Sequence, residues 1–188
     1  MKRDNIFLLN KIIQTKCKEF NFENMKMNNT DNVISILKED WHIFSILQHP
    51  LVAPLELQTS LTIEKSNSLR LLCFPHPVMI SSDTLPQFIR LCNEANSQLY
   101  AGTALGRFWC DEVHHDFVYE VILKEDIIES CPEEISKQLF DVPYYHFKDL
   151  HIPLTMLANR TWKSDVAIKY LQELRKNGYV DNSNYGLW

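Results

Sequence analysis

The chain has 188 residues, of which 45% are hydrophobic and 23% charged, enough apolar side chain to offset the entropy lost on folding and to exclude wholesale disorder. Its length fits one domain with room for an appendage. The formal charge of −5 is unevenly spread, because residues 111 to 141 hold ten Asp or Glu against only Lys124 and Lys137; such a field repels nucleic-acid phosphates and anionic lipids and steers a basic protein surface toward it.

The same acids also serve as an ordinary solvated face. Near the start, the apolar stretch Ile6 to Leu9 is interrupted by Asn10 and Lys11, so neither a secretory leader nor a membrane span is expected. Five cysteines, Cys17, Cys73, Cys92, Cys110 and Cys131, are scattered without a Cys-x-x-Cys pair. That pattern argues against a zinc knuckle and fits free thiols in a reducing compartment, with cytoplasm as the expected location.

In chain order, Ile6, Leu9, Ile13, Cys17 and Phe20 recur at helical spacing and predict an amphipathic helix over residues 6 to 20. The Asn-rich run from Asn21 to Asn32 reads as a linker, and Val33, Ile36 and Leu37 predict a short helix over residues 31 to 40. This places a boundary between an N-terminal helical appendage with linker, residues 1–30, and a core domain, residues 31–188. From residue 55 the period changes: Leu57, Thr59, Leu61 and Ile63 alternate with polar residues, Lys65 to Ser68 form a turn, and Leu69 to Phe74 return, which predicts a hairpin. Pro75 and Pro77 lack ladder donors, so the return strand is expected to be interrupted or to lie at an edge.

A helix is predicted next, capped by Ser82, Asp83 or Thr84, with Leu85, Phe88, Ile89, Cys92, Ala95 and Leu99 on its apolar face. A second hairpin follows. Its first strand, 105 to 111, sets Arg107, Trp109 and Asp111 against Phe108 and Cys110; the turn is Glu112 to His115; its return strand, 117 to 123, opposes Phe117, Tyr119, Val121 and Leu123 to Val118, Glu120 and Ile122. Helical signals resume with Ser130 as a cap before Pro132. The aromatic stretch Val142 to Pro153 reads as an irregular crossover between two prolines. Val166, Ala167, Tyr170, Leu171 and Leu174 predict a late helix ended by Gly178. The fold class that follows is α+β, an antiparallel sheet of hairpins flanked by helices.

Catalytic patterns are sparse. Asp111 to Asp116 concentrates carboxylates with His114 and His115, residue types suited to a divalent metal or to proton transfer, but adjacent His residues in a turn seldom converge on one ion. Cys110 with His114, His146 or His151 is the one combination worth weighing for thiol catalysis, against a buried apolar role for Cys110. No Gly-x-Ser-x-Gly elbow is present, and Gly102 to Gly106 lacks the Lys of a phosphate loop and precedes a strand. No catalytic residue, metal or cofactor is therefore assigned. Arg107, Trp109 and Tyr119 suggest an aromatic and cationic platform for a partner, flanked by Asp111 and Glu112; the alternative is that the rings pack beneath helices. The tail Tyr185 to Trp188 either tucks into its own domain or inserts into a neighbour.

The stretch from residue 84 to about 140 carries Asn93-Glu94-Ala95-Asn96 late in a helix, Gly106-Arg107-Phe108 entering a strand, Asp111 and Glu112 at the turn, and Val118-Tyr119-Glu120 returning. In these residues the chain resembles the YbjN family, whose fold is similar to that of type III secretion chaperones. The resemblance implies a compact sheet flanked by helices, a homodimer, and a binding or regulatory role with no catalytic residue to carry over. The expected function is a non-enzymatic protein-binding module, chaperone-like or regulatory, with Arg107, Trp109, Asp111, Glu112 and Tyr119 contacting a protein partner of basic character. Neither nucleic acid nor membrane is an expected partner. The alternatives are an immunity protein that neutralises a toxin, and a small metal-dependent hydrolase using His114, His115 and Asp116.

Overall fold

The computed structural model describes residues 3–19, 23–24, 36–38, 41–52, 55–64, 68–76, 78–97 and 104–187. Among them, seven antiparallel strands form one sheet: β1 (Glu23–Asn24), β2 (Ile36–Lys38), β3 (Trp41–Val52), β4 (Leu55–Glu64), β5 (Ser68–His76), β6 (Arg107–Asp111) and β7 (Asp116–Lys124). The order is β1-β3-β4-β5-β7-β6, with β2 also on β3. Six α-helices accompany the sheet: α1 (Arg3–Glu19), α2 (Leu85–Ser97), α3 (Ile127–Ser130), α4 (Pro132–Ser136), α5 (Val142–Ala158) and α6 (Ser164–Asn177). The chain is thus α+β, as its mixed periodicities require.

Both predicted hairpins form. In the first, β4 and β5 run from Glu56↔His76 to Ile63↔Leu69, and Leu57, Leu61, Leu69, Leu71 and Cys73 all turn to the core. β5 is interior as far as Cys73 and has a single neighbouring strand beyond it, so the expected interruption or edge falls at the Pro75 end of the strand. Pairing with β7 ends at Cys73↔Tyr119, so Pro75 lies where β5 has only β4 beside it, opposite Leu57. A missing donor is tolerated at a place where one ladder has already stopped.

Three other expectations change. Residues 36 to 38 form strand β2, not a helix, because their backbone pairs with β3 from Ile36↔Ile43 to Lys38↔Trp41. β3 itself was not foreseen: Trp41, Ile43, Phe44, Ile46 and Leu47 form a β-favouring run with no clean alternation to betray it. Within the polar run read as a linker, Glu23 and Asn24 pair with Gln48 and Leu47; the rest of the run lies outside the described residues.

The stretch 142 to 153 is helix α5, not an irregular crossover. A π-helical turn, Lys137–Asp141, joins α4 to α5. Pro143 has no N–H and its ring crowds the carbonyl of Leu139, four residues back; widening the preceding turn accommodates it, and the Val142 N–H reaches the Lys137 carbonyl. Pro143, Phe147, Leu150, Pro153, Leu154 and Leu157 then face the core. Ser130 does not cap α4; its hydroxyl donates back to the Asp126 and Ile127 carbonyls, and Cys131 precedes Pro132 at the helix start.

On α2 the buried face is Phe88, Leu91, Cys92 and Ala95, with Ile89 turned outward; Leu99 lies outside the described residues. Thr84 spends its hydroxyl on Ser81, donating to the Ser81 carbonyl and accepting the Ser81 N–H, both at 3.0 Å. Gly178 closes α6 in the left-handed conformation at φ 76°, its N–H on the Leu174 carbonyl at 2.7 Å. One core unites these parts: Leu9, Ile12 and Ile13 of α1 share it with the inward residues of β4, β5, β6 and β7 and with α2, α5 and α6. Tyr185 of the tail folds onto its own domain, packing against Trp162 and Tyr170 and donating to Glu173 at 2.6 Å, while Trp188 lies outside the described residues.

Candidate functional site

The β6–β7 ladder runs Arg107↔Glu120, Phe108↔Tyr119, Trp109↔Val118, Cys110↔Phe117 and Asp111↔Asp116. Alternation in both strands sorts these pairs onto two faces. On the inner face, Phe108 stacks obliquely on Tyr119 and Phe117 at 4.9 and 5.4 Å and meets Phe147 of α5 edge-on at 5.5 Å. Tyr119 is 0% exposed. It therefore cannot share a platform with Arg107 and Trp109, which lie on the opposite face, and its assignment as a partner-binding residue is corrected. The register of β7 puts Tyr119 with Phe117 and Val121, and burial has pushed its hydroxyl well above the usual phenol range.

The outer face is built around Glu120. Its side chain is only 5% exposed and is held by two arginines: Arg70 of β5 donates Nε to Oε1 at 2.8 Å, and Arg107 donates to Oε2 at 3.2 Å. Arg107 itself is 72% exposed. Val118 is buried yet stands outside the main core cluster, beneath its ladder partner Trp109, whose Nε1 is buried with no hydrogen-bond partner among the described residues. Ile122 is 55% exposed on the same face, with Leu72 and Phe74 of β5 half-buried beside this strand. Arg70 was not foreseen as part of this site. The one signal for it was a cation at an outward position in the otherwise apolar run 69 to 74.

At the tip, Asp111 folds the turn onto itself. Its carboxylate accepts the N–H groups of Val113 at 2.8 Å and His114 at 3.0 Å, and His114 Nδ1 donates to it at 2.7 Å. These bonds hold the Asp111 carboxyl down at about 2, the His114 backbone contact foremost, and the same carboxylate raises the His114 imidazole. His115 closes the turn at φ 61°, a left-handed position that His tolerates better than most residues, and its carbonyl accepts the Ile80 N–H at 3.2 Å. Glu112 and Val113 stand exposed. Among the described residues, no three His, Cys, Asp or Glu side chains are gathered to hold a metal ion.

The histidines weighed beside Cys110 go elsewhere. His114 is on Asp111, His151 bonds the Lys148 carbonyl at 2.6 Å, and His146 is buried against Phe108 and Tyr119. Cys110 instead neighbours Cys92 of α2, each thiol altering the other's ionisation. The acidic segment is also less uniform than its sequence: Glu120 is neutralised, Glu125 is buried and accepts from Asn5, and Asp141 accepts from Lys16 at 2.7 Å. What remains outward is the tip and the exposed Asp126, Glu129, Glu133 and Glu134.

The fold and this face define an α+β protein with a single antiparallel sheet whose inner side is sealed by helices. No protein-family model matches the chain, and no curated protein or solved structure does either. No helix among the described residues is long and apolar enough to cross a membrane.

Proposed function

We propose that this chain is a non-enzymatic protein-binding module, chaperone-like or regulatory, that acts through the outer face of the β6–β7 hairpin and its acidic tip. The observation that carries this reading is the composition of that face. Arg107 and Ile122 are exposed on the same face as Trp109, while the charge of Glu120 between the arginines is already compensated. A partner settling there covers apolar area and meets a guanidinium without stranding an unpaired carboxylate. Asp111 and Glu112 at the edge of the same face suit a partner segment of basic character.

The likeness to YbjN proteins in residues 84 to about 140 supports the same reading, and with it a type III secretion chaperone-like arrangement and a homodimeric state; the five scattered cysteines support a cytoplasmic location. The test is site-specific photo-crosslinking in cells, with the crosslinker replacing Ile122 in one version and the exposed Tyr145 of α5 in another. The reading expects one defined adduct from position 122 only, lost in the Trp109→Ala background and weakened by high salt; its intact mass separates a second copy from a different protein. The same adducts from both positions, or none from position 122, would overturn it.

A further inference from the structure

We propose that Cys92 and Cys110 form an oxidisable dithiol, a site at which a small-molecule disulfide such as oxidised glutathione closes a covalent bridge between α2 and β6.

The geometry begins with Asn96, whose side-chain amide clasps the backbone of Phe108, donating to its carbonyl at 2.8 Å and accepting its N–H at 2.7 Å. This pins α2 to β6 at one point. Cys92 lies one helical turn back from Asn96, a displacement of about 6 Å along the helix axis. Cys110 lies two residues on from Phe108, about 6.7 Å along the strand and on the same face. The two displacements match, which sets the two cysteines side by side, and each thiol alters the other's ionisation. The Asn96 amide nitrogen approaches the Cys92 sulfur at 4.0 Å.

The pair is asymmetric in a useful sense. Cys92 is buried and Cys110 half-exposed. The neighbouring Cys92 favours ionisation of the Cys110 thiol, while that of Cys92 is pushed up. The other described cysteines lack such an arrangement. Cys73 is fully buried on Thr59 and pushed up to about 12, and Cys131 is exposed.

The reaction follows from this asymmetry. The Cys110 thiolate attacks one sulfur of oxidised glutathione, forming a mixed disulfide and releasing one glutathione thiolate. The Cys92 thiol gives its proton to that leaving thiolate and attacks the Cys110 sulfur, expelling the second glutathione, which takes a proton from water. Two protein thiols are oxidised to one disulfide and one glutathione disulfide is reduced to two thiols. The bridge locks the helix on which Asn96 sits to the strand that carries Arg107 and Trp109.

The test is titration of the full chain with glutathione buffers of increasing oxidised fraction, followed by alkylation, intact mass and peptide mapping of all five cysteines. The expected product has lost the mass of two hydrogens, carries a peptide linking Cys92 to Cys110, and melts at a higher temperature than the reduced protein. Cys92→Ser should arrest the reaction at a glutathione adduct on Cys110, and Cys110→Ser should leave Cys92 unmodified. Mapping that places the disulfide elsewhere, or wild-type protein in which both cysteines stay alkylatable when glutathione is fully oxidised, overturns the proposal without recourse to any variant.

Discussion

Asn96 substitutes for a missing strand beside Phe108. β6 is the last strand of the sheet, and an unpaired strand edge is a template for unwanted pairing. The Asn96 amide takes both the N–H and the carbonyl of Phe108, and Gln138 accepts the Leu105 N–H at 3.0 Å just before the strand. Asn96→Ala should therefore cost about 2 kcal/mol, since it strips two partners from a part-buried edge. Urea unfolding measures that loss, and hydrogen exchange should show the Phe108 amide opening faster than its neighbours on β7.

Gly106 is required by space. A Cβ there falls 2.4 Å from the Tyr119 ring carbon Cζ and 2.6 Å from a Val121 methyl. Gly106→Ala should destabilise by roughly 3 kcal/mol, the upper end for overpacking, because Tyr119 is wedged among aromatic rings and cannot retreat. In a double mutant with Tyr119→Ala the loss should fall short of the sum of the two single losses; full additivity would show that the clash is relieved some other way.

The two arginines on Glu120 should not be equivalent. Arg70→Met removes the two shorter contacts, at 2.6 and 2.8 Å, from a carboxylate that stays buried, and should cost about 3 kcal/mol. Arg107→Met removes a 3.2 Å contact from a side chain already in water, and should cost less than about 1 kcal/mol. Equal losses in chemical denaturation would contradict this ranking. It also bears on function, since Arg107 can then be changed to probe binding without unfolding the sheet.

His146 makes stability depend on acidity. Burial, aided by the Arg175 charge, lowers its imidazole to about 4 from an ordinary 6.5. The unfolded chain therefore binds a proton that the folded chain refuses between those values. Its contribution is fully present above pH 6.5 and is lost as pH falls through about 4, amounting to about 3 kcal/mol at most. His146→Phe should flatten this slope while changing stability at pH 7 far less. Denaturation midpoints of the two proteins at pH 7, 6, 5 and 4 measure the difference directly.

The legible parts were those written in local periodicity. The period of two in residues 57 to 63, 105 to 111 and 117 to 123, and the helical spacing in 6 to 20, 85 to 99 and 166 to 174, placed the two hairpins and three of the helices because side-chain burial repeats with the backbone that presents it. The same alternation sorted the residues within each strand, Arg107 and Trp109 against Phe108, and Glu120 against Phe117 and Val121, while the register that sets Glu120 rather than Tyr119 on the face of Arg107 came from the ladder. By itself, then, the sequence determined the α+β class, the alternation within each strand of the second hairpin and the acidic character of its turn, but not which faces of the two strands coincide. Only the tertiary structure decided that Pro143 and Pro153 belong to a helix, since a π turn and burial against Phe117 and Phe108 override the local signal of two prolines. Only it joined Arg70 to Glu120, Asn96 to Phe108 and Cys92 to Cys110, because each pair is brought together by strand order and helix docking, distances along the chain that no local pattern encodes.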